Sequence, residues 1–577
     1  MNSGRKRYLL GVAVVAVLAL TGVFLYPGWH ASGPPPKTVG GDAVKSSGAD
    51  FMSGELDGTG VVASAGGNDT LTLASGNPQG GYTSETISTG YPFNALGLHW
   101  LAQVPDGAGL TAKVRFSQDG SQWGDWKPVD IDELDAVPDK FAGTKSAGET
   151  IGGLLYVDKA QFFQYRFDLK QNASGQAPQV DRITASYIDA MGFHESPVSL
   201  TAFIRDASWL LEPPKANAET GIVSRAQWGA DESLMNWDPD YAPPQKIIIH
   251  HTADGANWTG DPAAAVRSIY YYHAVSLGWG DIGYNYLIDW QGNIYEGRAG
   301  GASAPMGQWV IGGHAYGWNS GSIGISALGT YQDSDITGAM YNAFNWLMAQ
   351  KSNQFYIDPW GTDYFVHYDP SNNYAPVGGY SANYLGHRDT YPTQCPGNML
   401  YSHLSGFRNG AHAQYNPAPK IQNGTPSGDI STSRPNISAD FYTPFGINVS
   451  SIVMQVDGID VSAIATRTGS YVGYRPQQPL RAGSHTVYVA VSGNNNMQQT
   501  ANWSFNVAQN SIAPRDYYWN WYDNVGGRNW VMMANPAVSG AGAGFDLAIA
   551  GRNMDVTSFL TGSRVLPGPR APARYAG

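Results

Sequence analysis

One cysteine and three histidines carry the clearest chemical signal in the chain. Cys395 lies eight residues after His387 in GHRDTYPTQCPG, and the adjacent pair His250 and His251 lies upstream in KIIIHHT. Two imidazoles and one thiolate would leave one position of a tetrahedral metal ion open, which is how a catalytic zinc is held. Packing is the alternative, because cysteine is among the most buried residue types.

The adjacent histidines are not equivalent on a strand. KIIIHH is a short apolar run that predicts a β-strand, and successive side chains of a strand point to opposite faces. Only one of His250 and His251 therefore faces a common site, and the spacing leaves open which one. Tetrahedral nitrogen and sulfur ligation favours zinc over other metals.

The segment that must position these residues mixes strands with helices. DPAAAVRSIYYYHAVS predicts a helix with Asp261 near its cap and Pro262 in its first turn. YNYLIDWQGNIYEGR predicts a hairpin that turns at Gln291 and Gly292. SIGISALGTY predicts a further strand, and ITGAMYNAFNWLMAQKS has helical periodicity. Such alternation indicates an α/β domain over 221–412, with a mixed central sheet flanked by helices.

The composition outside this segment favours short strands. Charged residues make up 14% and aromatic residues 12% of the chain, with 71 Gly and 35 Pro, which is typical of strands joined by tight turns. The chain is therefore predicted to be multidomain, with all-β modules on both sides of the α/β domain. The predicted segments are a β-sandwich module (61–192), an immunoglobulin-like domain (433–508), a β-rich C-terminal segment without an obvious closing strand (509–577), and linkers (27–60, 193–220 and 413–432).

The N-terminus predicts export. Arg5, Lys6 and Arg7 precede an uncharged apolar stretch over 8–26, long enough to span a bilayer as a helix. The basic flank places residues 1–7 in the cytoplasm and the rest outside. The length of the stretch and the lack of an A-x-A site favour a retained anchor over a cleaved signal peptide. The chain is therefore expected to be secreted or membrane-anchored at the cell surface, with the membrane as a partner through this segment.

An exported location makes the cysteine more informative. A single cysteine outside the cytoplasm has no internal disulfide partner, and metal ligation would explain it. The charge argues against one class of partner: 34 Lys and Arg stand against 46 Asp and Glu, a net charge of −12. Without a basic patch, nucleic acid is not expected to bind.

Five phrases between residues 221 and 412 resemble one known family in order and spacing. The segment resembles the zinc-dependent N-acetylmuramoyl-L-alanine amidases of the type 2 family, which includes the peptidoglycan recognition proteins. The phrases are VSRAQWGA (223–230), KIIIHHTA (246–253), YHAVSLGWGDIGYNYLID (272–289), GGHAYGWNSGSIGISALGTY (312–331) and LGHRDTYPTQCPG (385–397).

The resemblance assigns roles to individual residues. It implies that His250, His387 and Cys395 are the zinc ligands and that His251 is not one. It implies that Tyr284 is catalytic, with its phenol aimed at the water or the developing oxyanion. It implies that Thr393 occupies the second polar catalytic position.

Four more positions match the family's substrate groove. The resemblance implies that His273, Trp279, His314 and Asn319 contact the muramyl sugar and stem peptide or shape the groove, although Trp279 is as readily a packing residue. The stretch from about 359 to 383 is longer and more aromatic than compact relatives need. We expect it to form a lip over the groove that tunes substrate choice.

The expected activity is hydrolysis of the amide between N-acetylmuramic acid and L-alanine in bacterial peptidoglycan, with Zn²⁺ as cofactor. The alternative is a peptidoglycan-binding surface protein without catalysis, or an adhesin. Non-catalytic relatives commonly lose the cysteine ligand. Because Cys395, both histidine ligands and Tyr284 are all present, the pattern favours the enzyme.

Overall fold

The computed structural model describes residues 37–63, 69–131, 149–194, 221–254, 258–369, 372, 374–508 and three C-terminal strands. The chain divides into two compact units, Met1–Gln414 and Tyr415–Gly577. Among the residues so described, no helix has the length and apolar character needed to cross a membrane. The predicted anchor over 8–26 and most of the predicted linker over 193–220 lie outside these residues.

The first unit begins with an all-β module. Its sheet runs in the order β2-β5-β10-β6-β11-β4-β3, with β1 paired to β11, β7 and β8 on the flank of β10, and β9 on β6. Three long central strands, β6, β10 and β11, carry the core. The elements are β1 (Val39–Lys45), α1 (Gly48–Met52), β2 (Glu55–Asp57), β3 (Thr59–Ala63), β4 (Asp69–Leu73), β5 (Gln79–Thr83), β6 (Ile87–Gln103), β7 (Gly109–Ser117), β8 (Lys127–Pro128), β9 (Glu149–Ile151), β10 (Leu155–Lys170) and β11 (Gln179–Asp189).

The predicted linker over 27–60 differs from the structure in its second half. Residues 39–63 form β1, α1, β2 and β3, and β1 pairs with β11 from Val39–Asp189 to Lys45–Ile183. The Gly-rich sequence has no strand periodicity of its own, so pairing with partners far along the chain stabilises these short strands. The sandwich assignment of this module stays a prediction.

The second part of the first unit is the α/β domain. Its five-stranded sheet has the order β15-β14-β17-β13-β20, in which β14, β17, β13 and β20 are parallel and β15 is antiparallel to β14. The predicted mixed sheet and the hairpin between β14 and β15 are confirmed. The strands are β12 (Tyr241–Ala242), β13 (Lys246–His251), β14 (Tyr286–Ile288), β15 (Ile294–Glu296), β16 (Trp309–Val310), β17 (Ser322–Ala327), β18 (Thr362–Asp369), β19 (Ala375–Ala382) and β20 (Tyr384–Gly386).

The helices of this domain begin at recognisable caps. Asp261 accepts a hydrogen bond from the Ala263 amide with Pro262 at the first helical position, and Thr337 caps α4 through the Met340 amide. Both long helices occur where the sequence predicts them. The helices are α2 (Arg225–Trp228), α3 (Pro262–Tyr271, continued by a π-helical turn over Tyr272–Ser276), α4 (Gly338–Phe355), α5 (Asn398–Ser402) and α6 (Leu404–His412).

The two faces of β13 pack against different partners. Ile247 and Ile249 belong to the core formed with Phe344 of α4 and Phe407 of α6. Ile248, between them, points to the other face and packs with residues such as Ala315 and Leu385. By the same alternation, His250 is on the Ile248 face and His251 on the helix face.

The β module and the α/β domain share one apolar core. Ile151, Leu154, Tyr156 and Ile188 of the module form a single cluster of buried residues with the α/β-domain residues, among them Ile269 of α3. The Tyr272 hydroxyl donates to the Gly152 carbonyl at 3.2 Å, and the Arg267 guanidinium donates to the Ala190 carbonyl. The module is therefore built onto the α/β domain.

The second unit begins with two sheets around one core. A four-stranded sheet (β21-β23-β27-β26) and a five-stranded sheet (β22-β29-β28-β24-β25) enclose Met454, Val472 and Val489. The strands are β21 (Lys420–Thr425), β22 (Gly428–Ile430), β23 (Ile437–Tyr442), β24 (Ile447–Val456), β25 (Ile459–Asp460), β26 (Thr466–Thr468), β27 (Tyr471–Tyr474), β28 (Gly483–Gly493) and β29 (Gln498–Val507).

Two of these strands fall where the sequence predicts a linker over 413–432. β21 and β22 are short and polar, and they pair with β23 and β29 of the unit, so tertiary pairing overrides their composition. The immunoglobulin-like assignment stays a prediction. Farther on, an antiparallel three-stranded sheet is formed by β30 (Tyr522–Val525), β31 (Arg528–Asn535) and β32 (Asp546–Gly551).

Candidate metal centre

Three predicted ligands meet at one end of the parallel sheet. His250 is near the end of β13, His387 follows directly after β20, and Cys395 lies in the loop beyond. One ligand atom from each lies within 4.8 Å of the others, and all three residues are buried. The Arg388 amide donates to the Cys395 carbonyl at 3.0 Å, which closes the loop and brings its two ligands to the same place.

The spacing of the donor atoms fits a zinc ion. The Cys395 sulfur lies 3.7 Å from Nδ1 of His250, and tetrahedral zinc bonds of about 2.0–2.3 Å hold nitrogen and sulfur ligands ~3.5 Å apart. The donor set of two imidazoles and one thiol is the soft and borderline set that zinc prefers. The residues present therefore fit the metal that the sequence predicts.

His251 is directed away from this cluster. Its Nδ1 accepts a hydrogen bond from the Tyr331 amide at 3.2 Å, on the face of the sheet that packs on α4. Its backbone amide donates to the Cys395 sulfur at 3.4 Å, a contact that favours a thiolate. The structure thus groups His250, and not His251, with His387 and Cys395, and strand alternation provides the physical reason.

His314 contacts His250, the first of the predicted histidine ligands, on the ring atom farther from Cys395. Nε2 of His250 lies 3.1 Å from Nδ1 of His314, and Nε2 of His314 lies 3.4 Å from the Ser322 hydroxyl. If Nδ1 of His250 binds metal, Nε2 carries the proton and donates it to His314. A partner of this kind fixes the tautomer and orientation of a ligand histidine. His314 is thus a positioning residue for His250.

Burial lowers the pKa of three histidines at the site, His250, His273 and His314, and keeps them neutral. It lowers the pKa of His250 well below its ordinary value, with His387 and His314 adding to the effect. Burial likewise lowers the pKa of His273 and of His314 to about 3. Neutral imidazole is the form that binds a metal ion, so the site is prepared for metal at neutral pH.

Tyr284 lies beside the ligands on the loop that leads into β14. Its ring centre is 5.6 Å from that of His250 and 5.8 Å from that of His273. His273 is on the π-helical turn after α3, where its Nδ1 accepts from the Gly283 amide at 3.2 Å. A π-helical turn is a frequent feature of functional sites, because the extra residue redirects the side chains that follow.

A buried ion network holds the Tyr284 loop. Asp281 accepts from the guanidinium groups of Arg225 at 3.0 Å and Arg298 at 2.7 Å, and from the Ile282 and Ala299 amides. Because a carboxylate with these partners is fully paired, it fixes its loop instead of taking part in chemistry. The sequence predictions did not include Asp281.

The remaining predicted residues have different surroundings. Trp279 is buried, with its ring centre 4.7 Å from that of His273. Asn319 is fully buried, and its side-chain oxygen accepts from the His314 and Ala315 amides, which shapes the loop that carries His314. Thr393 is half-buried, and its hydroxyl accepts from the Cys395 amide at 3.0 Å. Direct substrate or catalytic roles for these residues stay predictions.

Two residues beside Tyr284 escaped the sequence predictions. Asp254 is fully buried at the end of the loop after β13, and burial raises its pKa to about 7. Leu154 reaches the same cavity from the β module and lines it together with Asp254, His273 and Tyr284. No motif marks Leu154, because its position depends on how two domains pack. The carboxyl group of Asp254 could have been noticed from the sequence, because it follows the histidine pair by only three residues in HHTAD.

The stretch from 359 to 383 forms a ribbon of two strands, β18 and β19. One face packs on Trp318, whose ring stacks on Phe365 and His367, and the Lys246 ammonium donates to the Ser381 carbonyl. The other face exposes Tyr364 and Tyr380, among others. The ribbon therefore adjoins the loop that carries His314, and its role as a lip stays a prediction.

The fold and the residue cluster define an α/β domain with a candidate metal site. The family described as N-acetylmuramoyl-L-alanine amidase matches residues 240–398. Peptidoglycan-recognition protein SC2 of Drosophila melanogaster is 35% identical over 197 residues, which cover 33% of this chain and 86% of that protein. The chain belongs to the family of N-acetylmuramoyl-L-alanine amidases and peptidoglycan recognition proteins, as its five phrases predict.

Two further relatives match a similar share of the chain. Peptidoglycan recognition protein 1 of Bos taurus is 32% identical over 187 residues, covering 31% of this chain and 80% of that protein. The solved structure of wild-type Drosophila PGRP-LB is 29% identical and covers 32% of this chain and 92% of that one, with a TM-score of 0.25.

Proposed function

We propose that the protein is a zinc-dependent amidase that hydrolyses the bond between N-acetylmuramic acid and L-alanine in bacterial peptidoglycan. The observation that carries the proposal is the cluster of His250, His387 and Cys395 with Tyr284 beside it. Family membership supports peptidoglycan as the substrate class. The predicted apolar segment over 8–26 supports action at the cell surface.

Each residue of the candidate site would have a separate role in hydrolysis of the amide. Zinc bound by His250, His387 and Cys395 would supply Lewis acidity to the amide carbonyl and activate water. Tyr284 would donate a hydrogen bond to the oxygen on which negative charge develops. His314 holds the orientation of His250, and the network around Asp281 holds the loop of Tyr284. Thr393 provides a second hydroxyl near the cysteine ligand.

A matched pair of variants tests the metal centre. His250→Ala and His251→Ala remove neighbouring, buried histidines from opposite faces of one strand. In the full-length protein, His250→Ala should abolish zinc binding and the release of free L-alanine N-termini from purified peptidoglycan. His251→Ala should retain zinc and measurable release, because its ring contacts the Tyr331 amide and not the cluster.

Two outcomes would contradict the proposal. One is equal loss of release in both variants while both proteins remain folded by circular dichroism. The other is peptidoglycan binding without release by the zinc-loaded wild type, which would make the protein a recognition or surface-binding protein.

A further inference from the structure

The cavity beside Tyr284 is closed on one side by the β module. Leu154 lines it together with Thr252, His273 and Tyr284, and the volume that remains is about 10 Å³. That is room for roughly one water molecule. An amino acid residue of a stem peptide does not fit in this cavity while Leu154 is in place.

The segment Gly152–Leu154, here called the plug, approaches the α/β domain as closely as a backbone can. A Cβ atom added at Gly153 would lie 2.0 Å from the Ala253 carbonyl oxygen. Only glycine permits this approach between the plug and the loop that follows His250 and His251. The plug therefore packs against the loop that directly follows the predicted ligand His250 and its neighbour His251.

The β module holds the plug in position. The Gly152 amide donates to the Leu98 carbonyl at 2.8 Å, and the Gly153 amide donates to the Asp130 carbonyl at 2.9 Å. Just beyond the plug, Tyr156 stacks on Trp258 of the α/β domain with ring centres 4.9 Å apart. The plug therefore cannot leave the cavity without breaking contacts of the module.

We propose that the plug is a built-in inhibitory element that excludes the stem peptide until the plug breaks its contacts with the β module and leaves the cavity. The inference rests on the proposed function, because it takes Tyr284 and His273 as residues of the substrate groove. It assigns a regulatory role to the plug segment of the β module. Substrate binding and movement of the plug are then coupled, since both occupy the same space.

Two truncations of similar size test the plug in the full-length protein. Leu154→Ala removes most of the side chain that closes the cavity on the side of the β module. Ile151→Ala is the matched control, because Ile151 is buried in the same cluster, three residues away, and does not line the cavity. With a soluble muramyl dipeptide, Leu154→Ala should bind at least about fivefold more tightly than Ile151→Ala by calorimetry, since the competent state is more populated.

Hydrolysis is measured separately, so that failure of the amidase does not hide the result for the plug. If no variant releases L-alanine N-termini, the proposed function is wrong, and the binding comparison still decides the plug. Equal affinities of Leu154→Ala and Ile151→Ala, or no binding by either, overturn the plug.

Hydrogen exchange of the wild-type protein gives a second, independent test. Muramyl dipeptide should accelerate exchange of the Gly152 and Gly153 amides, because entry of the peptide breaks their bonds to Leu98 and Asp130. Unchanged or slowed exchange at saturating dipeptide would show that the plug stays in place when ligand binds, and would overturn the proposal.

Discussion

The cavity beside Tyr284 has two walls of different origin. One wall comes from the α/β domain, where Thr252, Tyr272, His273 and Tyr284 lie within phrases that resemble the amidase family and Asp254 and Ile269 lie just outside them. The other is Leu154, in a module whose sequence shows only strand alternation. The residues proposed to carry out hydrolysis thus lie in or beside short phrases that a sequence comparison detects. Access of the substrate to these residues depends instead on how the β module packs on the α/β domain.

A substitution in the wall formed by the α/β domain should have the largest effect on the rate of hydrolysis. Tyr284→Phe removes the donor to the developing oxyanion, and the rate of peptide release should fall about 10²–10³-fold, as for removal of one oxyanion-hole donor. Zinc content should stay at the wild-type level, because Tyr284 is not one of the three grouped ligands. Release assays and metal analysis on the same samples check both statements.

Tyr286→Phe is the matched control for this variant. Tyr286 is two residues away and buried, and it packs in the core against Trp309 on the other side of β14. An equal loss of rate in both variants would remove the catalytic role of Tyr284.

Local elements of the α/β domain follow from the sequence, because their signals are local. The Asp261–Pro262 start of α3 and the apolar run of β13 are both where the sequence predicts them. The strands over 39–63 are different, since β1 forms only against β11, well over a hundred residues later. The closeness of Leu154 to Tyr284 has the same cause: no periodicity of one segment reports which distant segment it will meet.

Substitution of His314, which contacts His250, should have the next largest effect, and the quantity affected is zinc affinity. His314→Ala removes the partner of His250 Nε2, and zinc affinity should fall about 10–100-fold, as for other partners of ligand histidines. Competition with a chromogenic chelator measures the affinity. Ser322→Ala is the control, because its hydroxyl lies farther out, 3.4 Å from His314 Nε2. Unchanged affinity in His314→Ala would assign the contact to packing alone.

The stability of the folded protein should depend on pH through Asp254, which lines the cavity between the α/β domain and the β module. Burial raises its pKa to about 7 from an ordinary 3.8, against the opposing effect of hydrogen bonds from Thr252 and Tyr156. The folded protein therefore binds a proton that the unfolded chain releases between pH 4 and about 7, so this residue's contribution to stability falls as pH rises through that window. The melting temperature should drop less between pH 5 and pH 8 in Asp254→Asn than in the wild type.

The control for this prediction is Asp125→Asn, which changes an exposed carboxylate of the β module. Its melting temperature should follow the wild-type dependence on pH. Parallel curves for the wild type and Asp254→Asn would mean that Asp254 is not buried in its protonated form.

The ribbon of β18 and β19 should give the smallest effect. Tyr364 and Tyr380 are 56% and 78% exposed and lie edge to face on paired strands, with ring centres 5.5 Å apart, where sugar rings could stack on them. Replacing both with Ser should raise KM for polymeric peptidoglycan about threefold, the worth of one weak aromatic contact, and leave KM for muramyl dipeptide unchanged. An equal change for polymer and dipeptide would argue against a lip that reads the polymer.

The most direct measurement titrates zinc into the metal-free, full-length protein while counting new L-alanine N-termini released from peptidoglycan. The account predicts one zinc per chain and a release rate that rises in proportion to occupancy, with neither seen in Cys395→Ser. Full occupancy without release, or release by the metal-free protein, would contradict it.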